Sequence, residues 1–211
     1  ANVRSIKGNN KLFFVKNDLA GKFDIITCSE SWLCAEDKSD KFEIAGYQPV
    51  FRKDRAQGRE PFGGVLAWVS NNAGCKRRSD FELDDIEAMW LEICADNKKF
   101  FLCVAYRANS NTDNTYWDKL QETIDNIRAL YNPKILICGD LNADLNTRQG
   151  KLMLDFVSAN NFTYHITDPT RITPASSTIL DQFISNFPIF KRDLDILPPL
   201  PLCDHCVISA K

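Results

Sequence analysis

Ile135-Leu136-Ile137-Cys138-Gly139-Asp140-Leu141-Asn142-Ala143-Asp144 is the stretch from which the rest of the chain can be read. Its apolar run is too short for a buried helix and reads as a fully buried strand. The run breaks off in Gly-Asp-Leu-Asn, where a glycine lets the backbone turn and two polar side chains leave the strand end. Asp140 and Asn142, two apart on extended backbone, point to one side. One can take up a proton while the other holds a substrate oxygen. A plain Asx turn closing a strand accounts for the same residues. The two readings are separated by Asn2, Glu30, Tyr106, Asp181 and Cys203-Asp204-His205 elsewhere in the chain.

At 211 residues the chain is long for one domain and short for two. No stretch reads as a linker, so residues 1–211 are expected to form a single domain. Ala1 already lies inside a motif, which suggests a piece cut from a longer polyprotein. Hydrophobic residues make up 44%, enough for a sizeable core. A net charge of -2 and a pI near 5.8 give no global field to draw in nucleic acid. That weighs against a passive DNA-binding module, whose affinity comes from neutralising phosphates. It leaves room for an enzyme that grips a phosphodiester through a metal ion and a local basic rim. Of the eight cysteines, Cys28, Cys94, Cys103 and Cys138 sit in or beside apolar runs and read as reduced core thiols in an intracellular protein. Cys203 and Cys206 match C-x-x-C without a second pair, which speaks against structural zinc. No signal peptide and no apolar run long enough to span a bilayer is present, so no membrane partner is expected.

Along the chain, residues 11–20 have helical spacing, with Asn9 or Asn10 as cap and Gly21 as stop. A strand over 23–28 then delivers Glu30. Arg52-Lys53-Asp54-Arg55 and Arg59 form a basic loop that ends at Gly63-Gly64, before a buried strand at Val65–Val69. This loop and Lys76-Arg77-Arg78 read either as solvated surface or as the rim of a phosphate-binding cleft. Strands over 86–95 and 100–106 form a hairpin around Asp96-Asn97-Lys98-Lys99 and present Tyr106 at a strand end. Asn111 to Asp113 cap a helix whose stripe is Tyr116, Trp117, Leu120, Ile124 and Ile127. A shorter helix carries Leu152, Leu154, Phe156 and Val157. A strand over 176–184 sets Asp181 among apolar residues, where a carboxylate needs a partner; His205 is the candidate.

Short apolar strands with helices between them indicate two packed sheets with helices outside. Polar groups leave the strands at one end. Carboxylates with amides suit a hard, oxygen-seeking cation such as Mg²⁺, and the reaction they favour is metal-assisted hydrolysis of a phosphoester.

Ser29-Glu30, Gly139-Asp140-Leu141-Asn142, Leu180-Asp181 and Cys203-Asp204-His205 resemble the ordered motifs of the endonuclease/exonuclease/phosphatase superfamily, the group of deoxyribonuclease I and the apurinic-site endonucleases. The similarity runs over essentially the whole chain. Ser29-Glu30-Ser31-Trp32-Leu33, Gly63-Gly64-Val65, Pro169-Thr170-Arg171 and Ser177-Thr178-Ile179-Leu180-Asp181 look most like the endonuclease domain of non-LTR (LINE-type) retrotransposons. The resemblance implies an α/β fold: a four-layer α/β/β/α sandwich of two packed, mostly antiparallel sheets flanked by helices. It implies Glu30 as the main Mg²⁺ ligand, with Mn²⁺ able to substitute, and Asp204 completing or supporting the metal site. Asp140 would position or deprotonate the attacking water, with Asn142 and Asn2 orienting phosphate and acid. Tyr106 would contact the phosphate, and Asp181 would fix and charge His205. Thr170 would touch the DNA backbone, with Arg171, Arg52 and Arg55 as further substrate contacts. Arg4 stands where apurinic-site enzymes have a second acid, and Cys203 where the motif has serine.

The implied function is nicking of double-stranded target DNA in the nucleus, leaving a 3′-hydroxyl. That end would prime a downstream reverse transcriptase domain of the same polypeptide. An abasic-site repair endonuclease or a small-phosphoester phosphatase of the same superfamily is the alternative enzyme. A non-catalytic binding module is the alternative of a different class; retention of Glu30, Asp140, Asp204 and His205 argues against it.

Overall fold

In the computed structural model, which describes residues 1–8, 10–55, 62–95 and 98–211, helix α1 (Lys11–Phe14) runs on as a π-helical segment over Val15–Leu19. Strands β1 (Ile25–Ser29), β2 (Phe51–Lys53), β3 (Val65–Val69), β4 (Gly74–Arg77), β5 (Glu87–Ala95) and β6 (Lys98–Tyr106) follow. After helix α2 (Thr115–Leu130) come β7 (Ile135–Asp140) and helix α3 (Arg148–Ala159). The chain closes with β8 (Thr163–Tyr164), β9 (Arg171–Thr173), β10 (Ser176–Thr178), β11 (Asp181–Ser185), β12 (Leu194–Leu197) and β13 (Val207–Ala210).

One sheet has the order β4-β5-β6-β7-β11-β8, antiparallel except for β6 beside β7. The other is β1-β3-β2, with β12-β13 as a separate hairpin. The layering follows from alternation along the strands. Trp90, Phe101, Cys103, Ile135 and Ile137 face outward onto Trp117, Leu120, Ile124 and Phe156 of α2 and α3. Met89, Leu91, Leu102, Val104 and Cys138 face inward and meet Val65, Ala67 and Val69 of the second sheet. The other face of that sheet, with Ile26, Leu66 and Trp68, is covered by Val15, Leu19 and Phe42. Three cores separate four layers, which is the α/β/β/α sandwich.

The same alternation positions the site. Leu136 and Cys138 look between the sheets, so Asp140, at the end of β7, does too. Across the sheet Glu87, Tyr106, Asp140 and Asp181 fall in one register row, a line of three carboxyls and a phenol at one end of the ladder. Gly139 makes the close approach there: at its φ of 141°, a Cβ would lie 1.8 Å from the carbonyl oxygen of Ala105. An apolar cleft of about 640 Å³ opens beside the edge of β1 and reaches back to Gly139 and Asp181, with Val207 to Ala210 also lining it.

Several local expectations are corrected. Residues 176–184 are two strands, because Ile179 and Leu180 leave one ladder before Asp181 joins another. Asn10 is left-handed at φ 58° and makes no side-chain cap, although Asp113 does accept from the Thr115 N–H at the start of α2. Cys94 is exposed, unlike Cys28, Cys103 and Cys138. The Lys76-Arg77-Arg78 run is largely consumed internally: Arg77 pairs with Glu82, and Arg78 with Asp80 and Glu92. Asn9, Arg59, Asp96 and Asn97 lie outside the described residues. Among the described residues no helix is long and apolar enough to cross a membrane.

Candidate active site

Asp140 and Asp181 are directly opposed on β7 and β11 and both are buried. His205 joins them from the segment before β13, its Nδ1 2.8 Å from Asp181 Oδ2 and its Nε2 3.9 Å from Asp140 Oδ2. Asn2 connects the two sheets: its amide donates to Asp140 Oδ2 at 2.7 Å and to Glu30 Oε1 at 2.8 Å. Ser29 bridges them as well, its hydroxyl accepting from the Asp140 N–H.

Burial sets the electrostatics. It pushes the Asp140 carboxyl up to about 7, helped by the neighbouring Asp181 charge and opposed by His205 and the Asn2 amide. For His205 burial works the other way, but the hydrogen bond and charge of Asp181, with Asp140 and Asp204 behind, outweigh it and hold the imidazole above its ordinary pKa. Tyr106 is driven well up by burial and by the charges of Glu30 and Asp140, so it stays a neutral phenol. Asp204 is partly desolvated, yet Arg171 keeps its carboxyl below the usual range.

Asn142 has φ 46°, and its side-chain amide donates to the carbonyl of Arg107 while its own N–H caps Asp140 Oδ1. Arg107, which sequence reasoning passed over, is fully buried and donates to the carbonyls of Leu141, Asn142 and Asn111 and to the Gln149 side chain. It fastens the loop that carries Asp140 and Asn142. Arg107→Met should destabilise the fold by about 3 kcal/mol, since four acceptors lose their donor inside the protein. A lowered denaturation midpoint at unchanged m-value is the expected record.

Thr170 departs from its expected role at the DNA backbone. It is fully buried, and its hydroxyl accepts from the N–H groups of Leu180 and Asp181 while its carbonyl receives the Cys206 N–H. It therefore positions Asp181 and His205 together. The arginines are engaged too: Arg171 with Asp204 at 2.8 Å, Arg52 with Asp54 and the carbonyls of Cys34 and Asp37, Arg55 with Glu87. Arg4 reaches the same oxygen, Asp204 Oδ2, at 3.6 Å.

Two donor sets can be weighed for a metal. Asp140, Asp181 and His205 offer ligand atoms within 4.8 Å of one another. An imidazole whose pKa a neighbouring carboxylate raises binds a metal less readily, since binding must displace the proton, so this triad suits proton and charge handling. Glu30 is only partly buried and keeps lone pairs beyond those used by Asn2 and Trp32. Asp204 Oδ1 is buried and has no hydrogen-bond partner among the described residues, an orphaned acceptor that a cation would satisfy. Hard oxygens of this kind fit Mg²⁺.

No protein-family model matches the sequence, and no curated protein matches it. Solved structures do. The endonuclease domain of TRAS1, a telomere-specific non-LTR retrotransposon, is 14% identical with a TM-score of 0.71, over 100% of this chain and 96% of that one. AP endonuclease LMAP from Leishmania major is 13% identical with a TM-score of 0.71, over 99% and 85%. The 3′ phosphatase NExo from Neisseria, bound to product DNA hairpin, is 12% identical with a TM-score of 0.67, over 100% and 96%. With its four layers and its strand-end cluster, the chain has the deoxyribonuclease I-like fold of the endonuclease/exonuclease/phosphatase superfamily, in a form similar to a LINE-type endonuclease domain.

Proposed function

We propose that the chain is a metal-dependent DNA endonuclease of a non-LTR retrotransposon, acting on nuclear DNA. The observation that carries this reading is Asp140, a buried carboxyl poised near neutrality, set opposite an imidazole that Asp181 keeps charged. Glu30 would hold Mg²⁺, with Mn²⁺ able to substitute, and Asp204 would complete or support the site through its free oxygen. The ion, when bound, supplies Lewis-acid stabilisation of phosphate charge. Asp140 takes a proton from the attacking water, which forms the new P–O bond while the bond from phosphorus to O3′ breaks. His205 donates Nε2–H toward the non-bridging oxygens as charge gathers on them, and Asn2 and Asn142 align acid and phosphate. The released O3′ takes up a proton from solvent as a 3′-hydroxyl, and the phosphate stays on O5′ of the downstream fragment as a 5′-phosphate. That hydroxyl would serve a downstream reverse transcriptase domain of the same polypeptide.

Supercoiled plasmid should be nicked in Mg²⁺, not in EDTA, and a polymerase should extend the nicks. Preference for abasic DNA by orders of magnitude would instead favour a repair endonuclease. Hydrolysis of small phosphoesters without nicking would favour a phosphatase. DNA binding in EDTA with no cleavage under Mg²⁺ would leave a binding module.

A further inference from the structure

Beside Glu30 the rim of the site changes from charged to aromatic. Trp32 and Phe62 form an edge-to-face pair, centroids 4.8 Å apart at 67°. Phe62 is 47% exposed, and Trp32 is partly exposed, whereas Trp68, Trp90 and Trp117 are buried. The indole is held in place on two sides. Its backbone N–H donates to the Gly63 carbonyl at 2.8 Å, and its ring Nε1–H to Glu30 Oε2 at 3.2 Å. Both Glu30 and Trp32 adopt φ 54°, a conformation that costs a non-glycine residue free energy and recurs at functional sites. Packing does not require it: a tryptophan serving the core would turn inward at β1's end, as Leu33 does. Here strained backbone presents an aromatic surface to solvent, one hydrogen bond away from the carboxylate assigned to the metal ion.

We propose that Trp32 and Phe62 form a stacking face for a nucleoside of the cut strand next to the scissile phosphate. The proposal rests on the DNA endonuclease reading above and supplies what the chain's mild acidity withholds. Stacking on aromatic rings is tolerant of sequence and needs no positive field. Through its bond to Glu30, Trp32 would register that nucleoside against the metal ligand, so strand placement and chemistry share one residue.

Trp32 is the tryptophan open to a ligand, so its fluorescence reports on the face directly. Titrating the protein in EDTA with a 20-base-pair duplex should quench the emission, and Trp32→Phe should remove the quenching. Phe62→Ala should raise KM for plasmid nicking about tenfold with little change in kcat, the size expected for one stacked base. Trp32→Phe should keep most of the affinity, and Trp32→Ala should lose it; circular dichroism melts establish that each variant folds. Nicking by the wild type without quenching, and with KM unmoved in Phe62→Ala, would overturn the stacking face and leave the endonuclease standing. Quenching by duplex with no nicking under Mg²⁺ would overturn the endonuclease reading, and with it the placement beside a scissile phosphate, leaving only an aromatic contact to DNA.

Discussion

His205→Ala should lower nicking about 10³-fold, the usual cost of losing a charged donor to a developing oxyanion in a site closed to water. The pH profile tells this loss apart from a folding defect. In the wild type Asp140 must be deprotonated, so the rate climbs as pH rises through its pKa near 7. His205 must be protonated, so the rate falls once pH exceeds its own raised pKa. The result is a bell whose limbs belong to the coupled pair. Removing the imidazole abolishes the alkaline limb. It also deprives the Asp140 carboxylate of the positive neighbour that holds its pKa down, while Asp181 remains opposite. The acid limb should therefore move to higher pH in the residual activity. An acid limb that stayed where it was would show that Asp140 does not feel His205 and is not the base. Free imidazole should restore part of the rate by entering the vacated space.

What could be read from the sequence was what depends on short-range pattern. The period-two alternation of β5, β6 and β7 sorts Trp90 from Leu91 and Ile137 from Cys138, and so yields both faces of the central sheet. The break at Gly139-Asp140 marks where polar groups appear, and a buried Asp181 demands a partner, which His205 is at 2.8 Å. What stayed hidden depends on contacts between distant segments. Thr170 looks like a surface threonine until Leu180 and Asp181 are seen donating to its hydroxyl. Arg107 follows Tyr106 as an ordinary strand-end cation, and only the arrival of Leu141 and Asn142 turns it into a buried clasp. Arg171 reads as a DNA contact, but Asp204, 33 residues on, takes its guanidinium. Left-handed backbone at Glu30 and Trp32 has no signature in residue type, since neither is a glycine or an asparagine. Core patterns are local, whereas the supports of a site are not.

Asp140→Asn should abolish nicking, by 10³-fold or more for loss of the general base, and at alkaline pH it should make the fold more stable. The sign follows from linkage. Below about pH 3.9 the carboxyl is protonated in both folded and unfolded chains. Between there and its folded pKa of about 7 the unfolded chain releases the proton and the folded one retains it, so stability falls as pH rises. Above 7 the loss is complete, about 4 kcal/mol from a gap of roughly three pKa units. A neutral amide removes that penalty. It also gives up one acceptor, since Asn2 and the Asn142 N–H both donate to Asp140; this costs about 1 kcal/mol at every pH. The variant should thus be slightly less stable than the wild type at pH 4 and about 3 kcal/mol more stable at pH 8. Paired denaturation curves at the two pH values measure the crossover. A constant difference between the proteins would mean that Asp140 titrates normally in the fold. A crossover accompanied by lost nicking would mark Asp140 as a charge the fold tolerates at a cost, held where the attacking water needs it.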